Sequence, residues 1–258
     1  MRVLFLTDNY PPETNAPATR TFEHVTRWVD TGHQVTVITC APNFPTGRTF
    51  PGYHNLPVFV HWEGGIRVVR VWSYMTANAG FLRRILDYVS FAASAAIIAP
   101  LLRFDVLVAT SPQFFTAVAG WYTATVRHKP WIFELRDLWP ESIKTVGAMR
   151  DGVAIRVLEG LELFLYRQAT KIIAVTDSFR RNLIQRGIRA RKIDVVPNGA
   201  NSALYRPRVK DDETVRRFGL NNHGRPTIGY LGTHGMAHAL DFIVRCAAQR
   251  PEVDFVLV

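Results

Sequence analysis

Residues 3–39 read VLFLTDNYPPETNAPATRTFEHVTRWVDTGHQVTVIT, and this stretch decides the fold class. Its two ends, Val3–Thr7 and Gln34–Thr39, are short runs of β-branched and apolar residues, which is typical of buried strands. Between them, Ala16–Thr31 carries apolar residues three or four apart, which predicts an amphipathic helix that ends at Gly32. A strand, a helix and a second strand in this order predict a βαβ unit with parallel strands.

The same alternation of strand and helix patterns continues along most of the chain. Further strands are predicted at Ile66–Val71, Asp105–Ala109, Trp131–Leu135, Lys171–Val175 and Lys192–Val196. A long apolar helix is predicted over Phe81–Leu102, and residues 41–65 are predicted to be an irregular loop that covers part of the molecule. The chain is therefore predicted to be an α/β protein with a parallel sheet.

Three segments are expected along the chain. Residues 1–200 are predicted to form the first domain, and residues 201–225, which are rich in charged and turn-forming residues, are predicted to connect it to a second one. Residues 226–258 are predicted to begin that second domain with one βαβ unit. Because so short a unit cannot close a hydrophobic core of its own, we expect the chain to be C-terminally truncated.

Composition excludes several classes of protein. The 258 residues are 48% hydrophobic, and 31 Lys and Arg against 21 Asp and Glu give a net charge of +10. These values exclude collagen-like, disulfide-rich and highly charged disordered chains. Two distant cysteines, Cys40 and Cys246, and a very short N-terminal apolar run predict a cytoplasmic protein without an export signal. The uncharged stretch Tyr88–Leu102 is too short to span a membrane and is predicted not to do so.

Ligands of open parallel sheets bind at the carboxyl ends of the strands, so the residues after each predicted strand are candidate site residues. After the first strand, Asp8–Asn15 leads into a helix N-terminus whose free N–H groups suit a phosphate or a sugar hydroxyl. The alternative is a proline-stiffened turn in which Thr14 or Asn15 caps the helix. Ser111 also follows a strand, and either binds a ligand oxygen or belongs to a plain helix cap.

The loop Arg136–Ser142 is the strongest single indication of a site. Trp139 suits stacking against a sugar ring, and the carboxylate of Asp137 or Glu141 could accept a hydroxyl proton or orient an acceptor; Arg136 adds a cation. The alternative is an ion pair between arginine and a carboxylate, with Trp139 in the core.

A third candidate lies near the C-terminal end, where Gly232-Thr233-His234-Gly235 follows a predicted strand. Two glycines around a hydroxyl at the start of a helix allow close approach of a diphosphate, although a simple tight turn explains them equally well. His234 and His238 have a spacing that a metal could use, but no third ligand is near them in sequence and no D-x-D motif occurs. A mechanism without metal or other cofactor is therefore expected.

Basic residues are unevenly distributed. They crowd residues 180–192, and Arg83 and Arg84 precede the long apolar helix, so an anionic membrane surface is an expected partner. A solvated helix face is the alternative. Nucleic acid is not expected, because no binding signature occurs and the basic residues lack interleaved aromatics.

Taken together, these motifs resemble the bacterial GT4-type retaining glycosyltransferases of the GT-B fold, in the WbuB-like branch of surface-polysaccharide enzymes. The resemblance covers the whole chain in the correct order. It rests on TGHQVTVIT with PNFPTG (residues 31–39 and 42–47, with the intervening Cys40 and Ala41), FELRDLWPES (133–142), VPNG (196–199) and GYLGTHG (229–235).

The resemblance implies two Rossmann-like domains, of which the first receives a glycan acceptor and the second holds a nucleotide-sugar donor. It implies that Asn15 and Ala16 face the transferred sugar, that Asp137 is the acidic residue on the acceptor side, and that Gly232 and Thr233 approach the donor diphosphate. Many members of the family use lipid-linked acceptors at the inner membrane face. Sugar transfer with retention is the function it implies.

This sequence lacks the family's donor-binding basic residues and its glutamate pair spaced E-x7-E, which lie beyond residue 258 in the family pattern. We therefore expect this polypeptide alone to be inactive or nearly so. Two other functions stay open: a sugar-nucleotide epimerase of the same fold, which needs no acceptor, and a non-catalytic module that docks on a membrane or a partner. An NAD-dependent oxidoreductase is disfavoured, since prolines replace the phosphate-binding glycines of the first turn.

Overall fold

The computed structural model describes residues 1–77, 81–111, 113–141, 152–203, 205–209, 211–219, 224–232, 234–235 and 238–258. The chain forms two compact units, Met1–Asn198 and Gly199–Val258. The predicted division at residue 200, and the role predicted for each domain, stay predictions.

The first unit is built on an eight-stranded sheet. Its strands are β1 (Arg2–Leu6), β2 (Gln34–Cys40), β3 (Val58–Glu63), β4 (Ile66–Val71), β5 (Val106–Thr110), β6 (Trp131–Leu135), β7 (Lys171–Ala174) and β8 (Ile193–Val195). They lie in the order β3-β4-β2-β1-β5-β6-β7-β8, and every neighbouring pair except β3 and β4 is parallel. The predicted α/β fold with a mostly parallel sheet is confirmed.

Helices cover both faces of this sheet. They are α1 (Ala16–Asp30), α2 (Phe81–Ile98), which continues into a 3-10 turn at Ala99–Leu101, α3 (Phe114–Val126), α4 (Val153–Gln168) and α5 (Asp177–Gln185). In β1, Leu4 and Leu6 enter the core that includes residues of α2 to α5, whereas Val3 and Phe5 enter a second core with residues of α1. This division follows from the two-residue period of a strand, and it explains why β1 is apolar throughout.

The prediction of an irregular loop over residues 41–65 is wrong in part, because β3 lies within it. β3 pairs antiparallel with β4 through a turn at Gly64 and Gly65, both of which have a positive φ, 54° and 80°. As an edge strand it leaves Trp62 69% exposed, so its apolar residues do not follow the pattern of a buried strand. The glycine pair between two β-rich runs was the available signal.

Helix α2 and its 3-10 turn include a stretch, Leu82–Leu101, that is long and apolar enough to cross a membrane by length and composition. Core helices of soluble proteins pass the same test, and 22% of this stretch is buried within the protein. The prediction that this region does not span a membrane stays a prediction.

The second unit contains α6 (Asp212–Arg217), β9 (Thr227–Tyr230), α7 (Leu240–Ala248) and β10 (Asp254–Leu257). β9 and β10 pair in parallel, with Thr227 beside Asp254, so the predicted βαβ unit is present. The predicted connection over 201–225 contains α6, whose first turn is capped by the carboxylate of Asp211.

Candidate functional site

A chain of side-chain hydrogen bonds joins three segments at the carboxyl edge of the sheet. Gln113, after β5, donates from Nε2 to the carboxyl group of Asp8, after β1. Asn9 Nδ2 donates to the same carboxyl oxygen, and Asn9 Oδ1 accepts from Nδ2 of Asn15 at 2.5 Å. Because β1 and β5 are neighbouring parallel strands, their following loops meet here.

Asn15 is the N-cap of α1. Its Oδ1 accepts from the backbone N–H of Ala18 at 2.9 Å, so the capping alternative predicted for Asn15 is confirmed. Ala16, the first residue of the helix, is exposed. The capping role does not test whether Asn15 and Ala16 face a transferred sugar, and that assignment stays a prediction.

Beside this chain lies a cavity of about 190 Å³, which we call the acidic cavity because three carboxyl side chains line it. These are Asp8, Glu13 and Asp87, and Glu13 fixes one wall by accepting backbone N–H bonds from Asn43 at 2.7 Å and Phe44 at 2.8 Å. The remaining lining residues are Asn9, Asn15, Pro17, Cys40, Asn43, Phe44, Pro45, Thr76, Arg84, Tyr88 and Gln113.

Burial shifts the titration of all three carboxyl groups. It raises the pKa of Asp8 to about 8, with further contributions from the nearby charges of Glu13 and Asp87. Burial likewise raises the pKa of Asp87 to about 7 and raises that of Glu13. Since an ionised carboxylate loses hydration when it is buried, these groups hold protons at a higher pH than they would in water. The cavity therefore contains carboxyl groups that exchange protons near neutral pH.

Sequence reasoning indicated the segments that contain Asp8, Glu13 and Gln113 but gave these three residues no role of their own, and it did not indicate Asp87. Asp8 and Glu13 lie in the first strand-end loop, and their spacing across two prolines gave no motif. Asp87 lies on α2, whose sequence indicated only an apolar helix. Its charge among apolar residues was the available signal.

A second cluster lies under the end of β6. Arg20 of α1 and Glu134 of β6 form a buried ion pair at 2.9 Å, with side chains 7% and 5% exposed, and His24 Nδ1 lies 3.6 Å from the same carboxylate. Arg20 also donates to Oδ1 of Asn198 at 2.6 Å. The VPNG motif after β8 is thereby attached to α1 and β6.

The loop after β6 contains four of the predicted site residues, Arg136, Asp137, Trp139 and Glu141. The N–H of Arg136 donates to Oγ of Ser111 at 2.8 Å, so the loops after β5 and β6 are joined. Burial lowers the pKa of the Arg136 guanidinium. Asp137 is half-buried, and Glu141 is exposed.

Trp139 lies in the core. Its indole is 8% exposed and stacks on Phe114 with ring centroids 4.8 Å apart and an interplanar angle of 19°. Phe115 contacts it edge-on at 6.0 Å. These contacts match the core alternative that the sequence left open for Trp139, and sugar stacking by this residue stays a prediction.

The remaining predicted residues belong to the second unit. Gly232 is exposed and its N–H donates to the carbonyl of Val258 at 2.9 Å, Gly235 is half-buried, and Thr233 lies outside the described residues. The rings of His234 and His238 each lie 6.1 Å from that of Tyr230. Among the residues that the structure describes, no three metal-binding side chains form a group.

The glycosyl transferase 4-like domain matches residues 15–199. The chain belongs to this family. The matched range begins at the N-cap Asn15 and includes Ser111, the Arg136–Glu141 loop and the Arg20–Glu134 pair. The predicted family of glycosyltransferases is therefore confirmed, and the narrower WbuB-like branch stays a prediction.

The chain is also similar to individual proteins. It is 23% identical to the putative colanic acid biosynthesis glycosyl transferase WcaI of Escherichia coli K12 over 96% of this chain and 62% of that protein. Its fold matches sucrose-phosphate synthase of Thermosynechococcus elongatus with a TM-score of 0.74 and 13% identity, over 99% of this chain and 61% of that one. It matches Anabaena Alr3699/HepE, solved with UDP and glucose, with a TM-score of 0.66 and 18% identity, over 100% and 60%.

These matches confirm the fold class, an α/β fold with a mostly parallel sheet as in GT-B glycosyltransferases. Sugar-nucleotide epimerases also match, at lower TM-scores. The chain spans about three fifths of the length of the relatives named above.

Proposed function

We propose that the chain acts in the transfer of a sugar, with retention, from a nucleotide-sugar donor to a glycan acceptor in cell-surface polysaccharide synthesis. The observation that carries this proposal is the family match over residues 15–199, which contains the strand-end loops after β2 and all later strands of the first unit. The name of the Escherichia coli relative supports a surface polysaccharide as the product. The motifs quoted above support the WbuB-like branch.

In this proposal the first unit binds the acceptor. Asp137 is the catalytic carboxylate, half-buried directly after β6, where an acceptor hydroxyl would approach the carboxyl edge. Arg136, Glu141, Ser111 and the Asn15–Ala16 turn surround the acceptor and the transferred sugar. Trp139 supports this loop from the core through its stacking on Phe114, and it takes part in sugar binding only if the loop moves.

The donor is proposed to bind the second unit, at the turn that contains Gly232, Thr233 and Gly235. A turn with two glycines allows the backbone to approach a diphosphate closely. The relative solved with UDP and glucose makes a uridine diphosphate sugar the first donor to test. We propose that no metal is required, since the sequence has no D-x-D motif.

We propose that α2 attaches the protein to the inner membrane face, where a lipid-linked acceptor would lie. Phe91, Ala95 and Ala99 bury one face of this helical segment in the core. The opposite face is an apolar stripe of exposed residues. Its members are Leu82, Leu86, Val89, Ala93 and Ile97, of which Leu82 is 75% and Ile97 69% exposed. Arg83 and Arg84 at the start of the helix suit anionic headgroups.

Cosedimentation with vesicles tests this attachment. We expect binding to vesicles that contain anionic lipid, and we expect the double substitution Leu86→Ser and Ile97→Ser to remove most of it. Val157→Ser is a matched control, because Val157 is 63% exposed on α4. Equal binding by the double variant and the control would contradict the proposal.

A thermal-shift titration with UDP, GDP and a panel of nucleotide sugars tests the donor proposal. A ligand that binds only the folded state raises the melting temperature by mass action. We expect a shift with one nucleotide class. No shift with any nucleotide, from a chain that melts cooperatively, would contradict donor binding by this polypeptide.

Acceptor dependence distinguishes a transferase from an epimerase. We expect nucleotide-sugar turnover to require a glycan acceptor, whereas an epimerase would convert its substrate without one. We propose that the 258-residue polypeptide alone turns over little donor, which a sensitive assay of nucleotide release checks. Turnover unchanged by acceptor would favour the epimerase.

A further inference from the structure

We propose that the acidic cavity binds the terminal sugar of the acceptor and selects one without an acidic group, either a neutral or an amine-bearing sugar. This inference rests on the proposed function and goes beyond it by naming the charge class of the acceptor. The cavity is a defined space next to Asn15, with walls from the loops after β1, β2 and β5 and from α2.

The lining of the cavity suits sugar hydroxyl groups. Carboxyl and amide side chains both line it, and the amides of Gln113, Asn9 and Asn15 are held by their own hydrogen bonds. Side chains fixed in this way lose little conformational entropy when a ligand binds, and they present both donors and acceptors to it. A hydroxyl-rich ligand is the chemical class that such a lining recognises.

Two buried oxygens in the lining side chains have no hydrogen-bond partner in the described part of the chain. They are Oε2 of Glu13 and Oε1 of Gln113, in side chains 4% and 6% exposed. When Glu13 is ionised both atoms are acceptors, so their missing partners are donors. A ligand that brings hydroxyl or ammonium groups supplies such donors, directly or through a bound water, whereas a carboxylate or phosphate brings only further acceptors.

The charges around the cavity also oppose an anion. Three carboxyl groups line it, and the guanidinium groups of Arg84 and Arg70 already make other hydrogen bonds. The guanidinium of Arg84 donates to the Tyr88 hydroxyl at 2.7 Å and 3.2 Å. That of Arg70 donates to the backbone carbonyls of Cys40 and Pro11 at 2.7 Å and 2.6 Å. Above about pH 8, where Asp8 and Asp87 are ionised, an anionic sugar would meet like charge at close range.

Saturation-transfer NMR with the purified chain tests this selection, because it detects binding as weak as millimolar. The probes are methyl glycosides of glucose, galactose and mannose, each paired with its uronic acid, at about 10 mM and about pH 9, where the carboxyl groups of the cavity are ionised. In at least one series we expect the neutral member to bind about tenfold more tightly than the uronate. Asp87→Asn should reduce that ratio, and Gln113→Leu should weaken the neutral ligand.

The control is Asp30→Asn, which makes the same change of charge at the exposed end of α1 and should leave the ratio unchanged. Cooperative melting of each variant shows that it is folded. Uronates that bind as tightly as the neutral sugars, or no binding by any probe, would overturn the inference. Neither result would change the outcome of the thermal-shift or acceptor-dependence experiments. The proposed function and the selectivity of the acidic cavity can therefore be contradicted independently.

Discussion

Gln113 donates a side-chain hydrogen bond to the buried carboxyl group of Asp8, and this bond joins the loops that follow two neighbouring strands. Asn9 donates to the same oxygen, so Asp8 is the central member of the chain that reaches Asn15. The side chain of Asp8 is only 8% exposed, and its surroundings include the carboxyl groups of Glu13 and Asp87. The protonation state of Asp8 therefore affects the stability of the loops at the carboxyl edge of the sheet.

We expect Asp8→Asn to flatten the pH dependence of stability. Burial raises the pKa of Asp8 to about 8 from an ordinary value of 3.8. Between these values the folded state holds a proton that the unfolded state releases, so the free energy of unfolding falls as the pH rises from about 4 to 8. Asparagine keeps an oxygen that can accept from Gln113 and does not ionise.

The measurement is the melting temperature of both proteins from about pH 5 to pH 9. For a protein of this size, a change of about 1 kcal/mol in the free energy of unfolding shifts the melting temperature by roughly 2–4 °C. The melting temperature of Asp8→Asn, relative to that of the wild type, should increase steadily as the pH rises. Glu13 and Asp87, whose pKa values are also raised, leave a smaller dependence of the same sign in the variant. Parallel curves for the two proteins would show that Asp8 does not titrate in this range.

The buried pair of Arg20 and Glu134 should be costly to break. Arg20→Leu leaves the Glu134 carboxylate buried without its ion-pair partner, although His24 and Arg136 remain nearby, and we expect a loss of about 3–5 kcal/mol in urea unfolding. Arg27→Ala, which removes an exposed ion pair with Glu23 in the same helix, should cost less than about 1 kcal/mol.

The double substitution Arg20→Leu with Glu134→Leu tests the cause of that loss. It removes both charges and should recover part of the stability, because no uncompensated charge remains buried. If the double variant is no more stable than Arg20→Leu, the lost contact to Asn198 rather than the buried charge explains the effect.

Substitution by alanine should have opposite effects on stability at two glycines that lie in helices. A Cβ on Gly120 of α3 would lie 2.6 Å from Cβ of Ala109 and 3.1 Å from Cδ2 of Leu107, both in β5. Overpacking of about 1–3 kcal/mol exceeds or equals the gain of about 1 kcal/mol in helix propensity, so Gly120→Ala should destabilise. A Cβ on Gly160 of α4 would meet no atom within 4 Å outside its own helix backbone, so Gly160→Ala should stabilise by about 0.4–1 kcal/mol.

Chemical unfolding of the two variants measures this difference directly. A stabilised Gly120→Ala variant would mean that α3 can move away from β5 at little cost. That outcome would contradict the close helix–sheet contact described here.

Gly47 holds a wall of the acidic cavity. It has a φ of +68°, and a Cβ there would overlap the backbone of Thr76, a lining residue. We expect Gly47→Ala to destabilise the protein and to weaken sugar binding by displacing Thr76. Gly52→Ala is a matched control, because Gly52 also has a positive φ, +82°, but a Cβ there would meet no atom within 4 Å. This substitution should therefore cost only the backbone strain of about 1–2 kcal/mol. Equal effects on melting temperature would show that the contact with Thr76 is unimportant.

The sequence by itself determined the βαβ organisation and limited the cap of α1 to Thr14 or Asn15. The apolar residues of β1, the helical spacing in Ala16–Thr31 and the position of Asn15 act within a few residues of one another, so local pattern is enough to predict them. The edge strand β3 was not predicted, because its residues are mostly exposed and its pattern lacks the alternation of a half-buried strand.

Only the tertiary structure decided which polar residues form the site. Asp8, Glu13 and Asp87 meet because α2 packs beside the loops after β1 and β2, and Arg20 reaches Glu134 across 114 residues of chain. The order of strands fixes these encounters, and strand order depends on how whole helices and strands pack rather than on any local pattern. Burial then raised the pKa values of these carboxyl groups. This shift arises only when the fold removes water from around them.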